Sequence, residues 1–598
     1  MTIEREHVMK SETIEYIKSI KPGPHKDGNE LVKKGIEIGN SFEAGRSRFI
    51  RESNGKYKTH ADHKWECQRE GKIDWNILLG LATLEDQIEG IKELYDFSQR
   101  TGLELHDIQC IPSGVVGLPK EYKAQAPKTT SYVMDGLEDY VAQAEAAPMD
   151  LCFNDHHMCV PNAIETTINA LKIGSERVGE FSQFNWGYAG FSDDMKRYED
   201  MITSFGIMAS KADEMFTIES YLDDGYPGYF MDCCSYVGYA LLEHYIACDL
   251  CGTRYSISFG GLVTDEAMRS AIPVAIHKLL STDEQLVVTY INGSTTMQWG
   301  ENIDANYGYS AQEMLWSILT EKHYKMGMGF NPVSITEKIK VPTVKELENI
   351  FSVGKRIEAK ADEWLPFIDW TEIDKAVDVM MREGTIFFEN CLKFLEESGV
   401  DIHDPLEMVL VLAAFDPIKF EQAFHSSTAE TDKVAVEPFY PTVLGRMTME
   451  MKDEIIADLD SKGYTGEMKG KKIVVGSGDT HTYGLILIDG VYTAMGATVI
   501  NGGVDMDPID LLDLADESNA SIIGVSCHNG QALDYGRQLL QLAEERKNKY
   551  CFLMGGKLNS ILPGNAEPTE VDGMLRELGI HAYNEIEEQL KAIKTSGF

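Results

Sequence analysis

Asp479, His481 and Gly484 stand in an Asp-x-His-x-x-Gly loop within 474-VVGSGDTHTYGLIL-487, directly after an apolar run that reads as a strand. Imidazole is a metal-ligand side chain, and a nearby carboxylate is the usual group that fixes its tautomer and raises its basicity. A glycine three residues on lets backbone lie against a large flat group where a side chain would collide. Alone the pattern also fits a surface histidine in an ordinary turn. Two further signals remove that reading. Ser526 follows Gly484 by 42 residues and ends the apolar run 521-SIIGVS-526, and Gly555-Gly556 follows Ser526 by 29 and ends 550-YCFLM-554. Three such signals at three successive strand ends mark the place where open α/β sheets bind their ligands.

The elements that must position these residues alternate regularly. Strands at 472-KIVVG, 497-ATVIN, 521-SIIGVS, 550-YCFLMG and 580-IHAYN are separated by helical segments near 485–496, 508–518, 530–547 and 568–578, with a last helix near 585–594. The spacing predicts a doubly wound parallel sheet of flavodoxin-like order. These residues resemble the cobalamin-binding domain of enzymes that hold the corrinoid through a protein histidine. The resemblance implies that His481 is the lower axial cobalt ligand and Asp479 its hydrogen-bonding partner. It also implies that Gly484 lies beneath the ring, and that Ser526, Gly555 and Gly556 line the cleft for the displaced nucleotide tail (the base-off state). One departure is His528, where that family usually has leucine two residues after the serine.

Upstream, residues 80–335 repeat short apolar strands that end in polar or glycine-rich turns and lead into helices. The strand ends fall at 103-LELHDIQCIPSG, 150-DLCFNDHHMCVPN, 178-VGEFSQFNWGYAG, 229-YFMDCC, 254-RYSISFGG and 286-LVVTYINGST. That rhythm predicts an α/β fold of the TIM-type β/α barrel class over residues 1–335. A helical extension and linker would fill 336–460, and the cobalamin-binding domain 461–598. Polar side chains at the strand ends, chiefly His156, His157, Gln183 and Asn185, are the candidate catalytic and substrate contacts. Cys248-Asp-Leu-Cys251 is an isolated CxxC pair in a helical context and is read as structural.

Bulk properties exclude several classes. The chain has 598 residues, 43% hydrophobic and 25% charged, so several domains are expected. A net charge of −41 argues against nucleic acid or an anionic membrane as partner. No apolar run approaches the ~20 residues that span a bilayer, and the first residues, MTIEREHVMK, lack a signal-like apolar core. Eleven cysteines without a framework suit a reducing cytoplasm.

The barrel region is also similar to the large component of glutamate mutase, best over 160-VPNAIETTINALKIGSERVGEFSQFNWGYAGFSDDM and 230-FMDCCSYVGYALLEHYIACDLCGTRYSIS. With barrel first and cobalamin domain last, the chain looks like a member of the 2-methyleneglutarate mutase family of adenosylcobalamin-dependent carbon-skeleton mutases. The resemblance implies a radical isomerisation of a small dicarboxylate, with adenosylcobalamin as cofactor and a homotetrameric assembly. It breaks at Ser258-Phe259-Gly260-Gly261-Leu262, where glutamate mutase places the lysine and glutamate that hold the adenosyl ribose. The main rival is a corrinoid methyl carrier, whose helical cap residues 343–425 would imitate.

Overall fold

The computed structural model describes residues 13–124, 126, 131–188, 190–293, 299–300, 302–337, 339–429, 436–478, 483–503, 506–527, 531–546, 548–560, 562 and 569–598. The chain divides into two compact units, one of residues 1–185 and 191–443, the other of residues 444–598 with 186–190.

The first unit is built on eight short parallel strands: β1 Asn76–Leu79, β2 Asp107–Cys110, β3 Asp150–Cys152, β4 Arg177–Gly179, β5 Thr217–Tyr221, β6 Arg254–Phe259, β7 Val288–Asn292 and β8 Gly329–Asn331. They pair in chain order, β1 to β3 in one sheet and β4 to β8 in another. A parallel bridge between Phe153 and Val178 links β3 to β4, and one between Trp75 and Phe330 links β8 back to β1. Each strand is followed by a helix, and several of the helix starts are fixed by a capping side chain. Thr83 caps Leu84–Thr101 through the Asp86 amide, and Asp265 caps Glu266–Leu280 through the Met268 amide.

The expected strand at 229-YFMDCC is not one. Pro227–Tyr229 form a 3-10 turn, and the Asp232 side chain accepts from the Cys234 amide to start the helix Cys233–His244. The strand of that repeat is β5, eight residues earlier than the turn ends. Four helices then follow, Val344–Trp364, Thr371–Glu397, Pro405–Ala414 and Pro417–Phe424. Asp-Pro pairs open the last two, with the aspartate as cap and proline in the first turn. Leu347, Phe351, Phe387 and Phe420 join one continuous core with the strand residues Ile77, Ile218 and Ile257. The described part of the following arm is pinned by Asp232, which accepts from the Phe439 and Tyr440 amides at 2.8 and 3.1 Å and from His425 at 2.8 Å.

The second unit has β9 Lys472–Ser477, β10 Thr498–Asn501, β11 Ile522–Cys527, β12 Cys551–Gly556, a two-residue ribbon β13 Asn559–Ser560 with β14 Thr569–Glu570, and β15 His581–Ala582. The five-stranded parallel sheet has the order β10-β9-β11-β12-β15, the flavodoxin-like order expected. Alternation along β9 feeds two cores. Val474 packs with Ile523 and Leu511 on one face, Ile473 and Val475 with Tyr492 and Leu590 on the other. No helix among the described residues is long and apolar enough to cross a membrane.

Candidate functional site

Strand register brings the carboxyl-terminal signals together. Ser526 of β11 lies between Ser477 of β9 and Gly555 of β12 in direct Cα register. The chain leaves β9 through Gly478, whose N–H donates to the Ser526 carbonyl at 2.9 Å. Asp479 and His481 come next in the sequence and lie outside the described residues, as does His528. The helix Tyr483–Ala494 then returns along the sheet. Between this helix and the strand ends is a cavity of ≈ 190 Å³, and Gly484, Ser526, Gly555 and Gly556 all line it.

Local packing accounts for two of these glycines. A Cβ on Gly555 would stand 3.2 Å from Gln589 Nε2 and 3.3 Å from the Tyr583 carbonyl. Gly556 has φ +100, and its N–H donates to Asn584 Oδ1 at 2.9 Å. Sequence reasoning missed the polar floor formed by Asn584 and Gln589. Gln589 is buried, accepts from the Tyr492 hydroxyl, and donates to the Tyr583 carbonyl at 2.6 Å. Its only sequence signal was a glutamine on the inward face of an otherwise ordinary last helix.

The carboxyl ends of the strands in the first unit hold a second set of polar groups. Gln183 donates to Asp155 Oδ1 at 3.4 Å, and His157 Nδ1 lies 2.6 Å from the Asp155 carbonyl. His157 is fully buried, with its Nε2 2.8 Å from the Tyr140 hydroxyl, and burial lowers its pKa to about 3. Both ring nitrogens are therefore engaged inside the protein. The ring stands between the Tyr140 hydroxyl and the Asp155 backbone. His156 takes a left-handed conformation, φ +59, and burial lowers its pKa to about 4. Gly114 makes room for its ring, since a Cβ there would stand 3.3 Å from His156 Cε1.

Several buried polar atoms at this end have no hydrogen-bond partner among the described residues. They are both carboxylate oxygens of Glu180, Asn154 Nδ2, Asn185 Oδ1 and Asn331 Oδ1. Unpaired buried groups of this kind cost ~1–3 kcal/mol each, so a cluster of them is the mark of a polar ligand or ordered water. Burial, then the nearby Glu219 and Asp155 charges, push the Glu180 pKa well above the usual carboxylate range. Asn331 was missed because β8 is only three residues long. The Gly260–Leu262 turn is held by two buried side chains. Asp223 accepts from the Gly260, Leu262 and Val263 amides, while buried Arg269 donates to the Val263 and Asn292 carbonyls at 3.0 and 2.6 Å. Arg46, Arg48 and Arg51 each pair with a glutamate.

At the opposite, amino-terminal end of these strands His60, His63 and Asp74 bring ligand-type atoms within 4.8 Å of one another. The cluster carries its own cations. Lys64 Nζ is 2.9 Å from Asp74 Oδ2, and His60 bridges Asp150 at 2.5 Å and Asp74 at 3.0 Å. Arg177 joins Asp107 at 2.6 Å. Lys64, His60 and Arg177 thus face Asp74, Asp150 and Asp107, and Arg177 also reaches Glu219.

The comparisons bear on the second unit. Residues 472–586 match the B12 binding domain family. No curated protein matches the chain. Among solved structures, a cobalamin-binding protein from Desulfitobacterium hafniense DCB-2 is similar at 19% identity and TM-score 0.19, covering 38% of this chain and 98% of its own. The carboxyl transferase domain of pyruvate carboxylase from Rhizobium etli is similar at 11% identity and TM-score 0.29, covering 73% of this chain and 78% of its own. The sheet order, the strand-end cavity and the family match together make the second unit a B12-binding domain of flavodoxin-like fold.

Proposed function

We propose that this protein is an adenosylcobalamin-dependent carbon-skeleton mutase that interconverts 2-methyleneglutarate and (R)-3-methylitaconate, working as a cytoplasmic homotetramer. The observation that carries the reading is the open cavity at the register Ser477–Ser526–Gly555, directly after which the Asp-x-His-x-x-Gly sequence begins. The residues fit a corrinoid tail: glycine backbone and one serine at the rim, aliphatic walls, and a floor of Gln589 and Asn584. In this reading His481 would hold the cobalt and Asp479 would fix its tautomer. Bound adenosylcobalamin supplies a carbon radical through its weak cobalt–carbon bond.

The first unit we read as a β/α barrel, a reading that the chain-order parallel pairing and the two closing bridges support. The helices 344–424 share the core of that unit, which weighs against the methyl-carrier alternative, where such helices would cap the cobalamin domain. Its unpaired polar atoms supply the substrate's partners. A neutral Glu180 donates a hydrogen bond to one carboxylate, Asn154 Nδ2 donates to the other, and Gln183 with Asp155 positions the chain between them. His156 stays beside this set as a neutral ring. A radical rearrangement needs no strong acid or base, and these groups orient the substrate and exclude water.

Burial raises the Glu180 pKa well above the usual carboxylate range and so favours the protonated carboxyl, whose proton is lost as the pH rises through the raised value. Glu180→Gln, which keeps a donor, should retain turnover within about threefold, and should flatten the alkaline fall that the wild type shows. Glu180→Ala should lose about tenfold or more, the worth of a hydrogen bond to a charged group. Equal loss in both variants refutes the neutral-donor role. The function itself is tested by anaerobic incubation with adenosylcobalamin and either 2-methyleneglutarate or glutamate, with products followed by proton NMR. Isomerisation of 2-methyleneglutarate is expected. Turnover of glutamate alone, or of neither with methylcobalamin retained by the pure protein, overturns the assignment.

A further inference from the structure

His60 and His63 lie one turn apart on the helix His60–Glu70, whose start is fixed by a capping box between Thr59 and Asp62. Residues three apart on a helix are neighbours on its surface, and this pair meets Asp74, which stands shortly before β1. All three side chains are buried. Two imidazole nitrogens and one carboxylate oxygen are a donor set for a divalent ion such as zinc, which takes nitrogen and oxygen ligands at ~2.0–2.1 Å in a tetrahedral array.

The surroundings engage the atoms that would not ligate. Asp150 Oδ2 lies 2.5 Å from His60 Nδ1, the place of the outer carboxylate that fixes a ligating imidazole and leaves its Nε2 for the metal. Cys67 Sγ lies nearer to His63 Nε2, at 3.7 Å, than to Nδ1. Asp74 Oδ2 has Lys64 Nζ at 2.9 Å and the Tyr290 hydroxyl at 2.6 Å. What remains is Asp74 Oδ1. It is buried and receives no hydrogen bond among the described residues, yet it stands 3.1 Å from His63 Nδ1. Two ligand atoms of a tetrahedral zinc stand roughly 3.3 Å apart. A nitrogen and an oxygen this close, with no hydrogen bond between them, are spaced as neighbours in one coordination shell. A buried carboxylate oxygen left unpaired is costly, and a cation at this point satisfies it.

We propose that His60, His63 and Asp74 form a binding site for one divalent transition-metal ion of the zinc class, with Asp150 as the outer partner of His60 and a water in the fourth position. The site lies at the amino-terminal end of the strands, opposite the polar set around Glu180. Its role is structural: the ion ties the helix His60–Glu70 to the segment that enters β1. In the metal-free state the same carboxylates hold a proton on His60, and the ion displaces it. Full-length protein is produced in zinc-supplemented medium, dialysed against metal-free buffer and assayed by inductively coupled plasma mass spectrometry. Wild type should carry about one zinc per chain, and His63→Ala less than about 0.2, because a ligand is lost. After the metal is stripped by a chelator, zinc at about 100 times its dissociation constant should raise the wild-type thermal midpoint by about 3 °C and leave that of His63→Ala unchanged. Zinc-edge X-ray absorption on the wild type, which needs no variant to fold, should show imidazole and oxygen scatterers at ~2.0 Å and no sulfur. A sulfur shell would place the zinc on cysteines elsewhere and overturn the proposal. So would wild-type protein without zinc and without a thermal response, or equal zinc content in His63→Ala.

Discussion

Arg177→Met should destabilise the first unit by about 3–5 kcal/mol, the cost of stranding charges in a buried network. Arg177 begins β4, is buried, and donates from Nη2 to Asp107 Oδ2 at 2.6 Å and from Nη1 to Glu219 Oε2 at 3.2 Å. Its guanidinium carbon also lies 4.3 Å from the centre of the Tyr290 ring, and the Tyr290 hydroxyl lies 2.6 Å from Asp74 Oδ2 and 2.8 Å from Asp107 Oδ2. Methionine fills the volume but leaves two acids facing one another. Denaturant unfolding followed by tryptophan fluorescence reads the effect, since six of the seven tryptophans belong to the first unit. Glu219→Gln added to Arg177→Met should recover part of the loss. A loss below about 1 kcal/mol would mean that water already reaches the network and screens it.

The same network sets a pH window. Burial opposes both charges, yet Lys64 and His60 hold the Asp74 carboxyl well below its usual range, and Asp74 with Asp150 holds His60 well above its own. The Asp74 contribution is complete above the unfolded value of about 4 and is lost as pH falls through the depressed one. The His60 contribution is complete below about 6.5 and is lost as pH rises through the raised one. Stability of the first unit should therefore be greatest between roughly pH 4 and 6.5 as far as this network governs it.

Legibility in the sequence followed the distance between partners. The second unit could be read almost whole, because each strand is a short apolar run and each helix fills the interval, so periodicity alone orders the sheet. Its strand-end signals needed only chain order, and Ser526 and Gly555 do lie side by side. In the first unit β5, 217-TIESY, escaped because its buried residues include the polar Glu219 and Ser220, on opposite faces of the strand. Glu219 is tolerated there by an arginine 42 residues away. The false strand at 229-YFMDCC is an apolar run buried for another reason, as a turn that leads into a helix. The ring nitrogens of His157 lie against Tyr140, 17 residues earlier, and a backbone carbonyl, and only the folded chain brings the tyrosine to it.

His481→Gln should abolish turnover and weaken adenosylcobalamin binding by more than about 100-fold, beyond the tenfold to hundredfold that loss of a ligand's outer partner costs. Asp479→Asn, which removes only such a partner, should fall within that smaller range. The reason for the difference is donor chemistry: a neutral imidazole nitrogen is a good axial donor, a carboxamide is a poor one. The direct readout is the electron paramagnetic resonance spectrum of the reduced cob(II)alamin form, grown with nitrogen-15 histidine. Wild type should show splitting from a labelled nitrogen, and His481→Gln should lose it while the circular dichroism spectrum is unchanged. Full affinity and retained splitting in the variant would assign the ligand to another histidine.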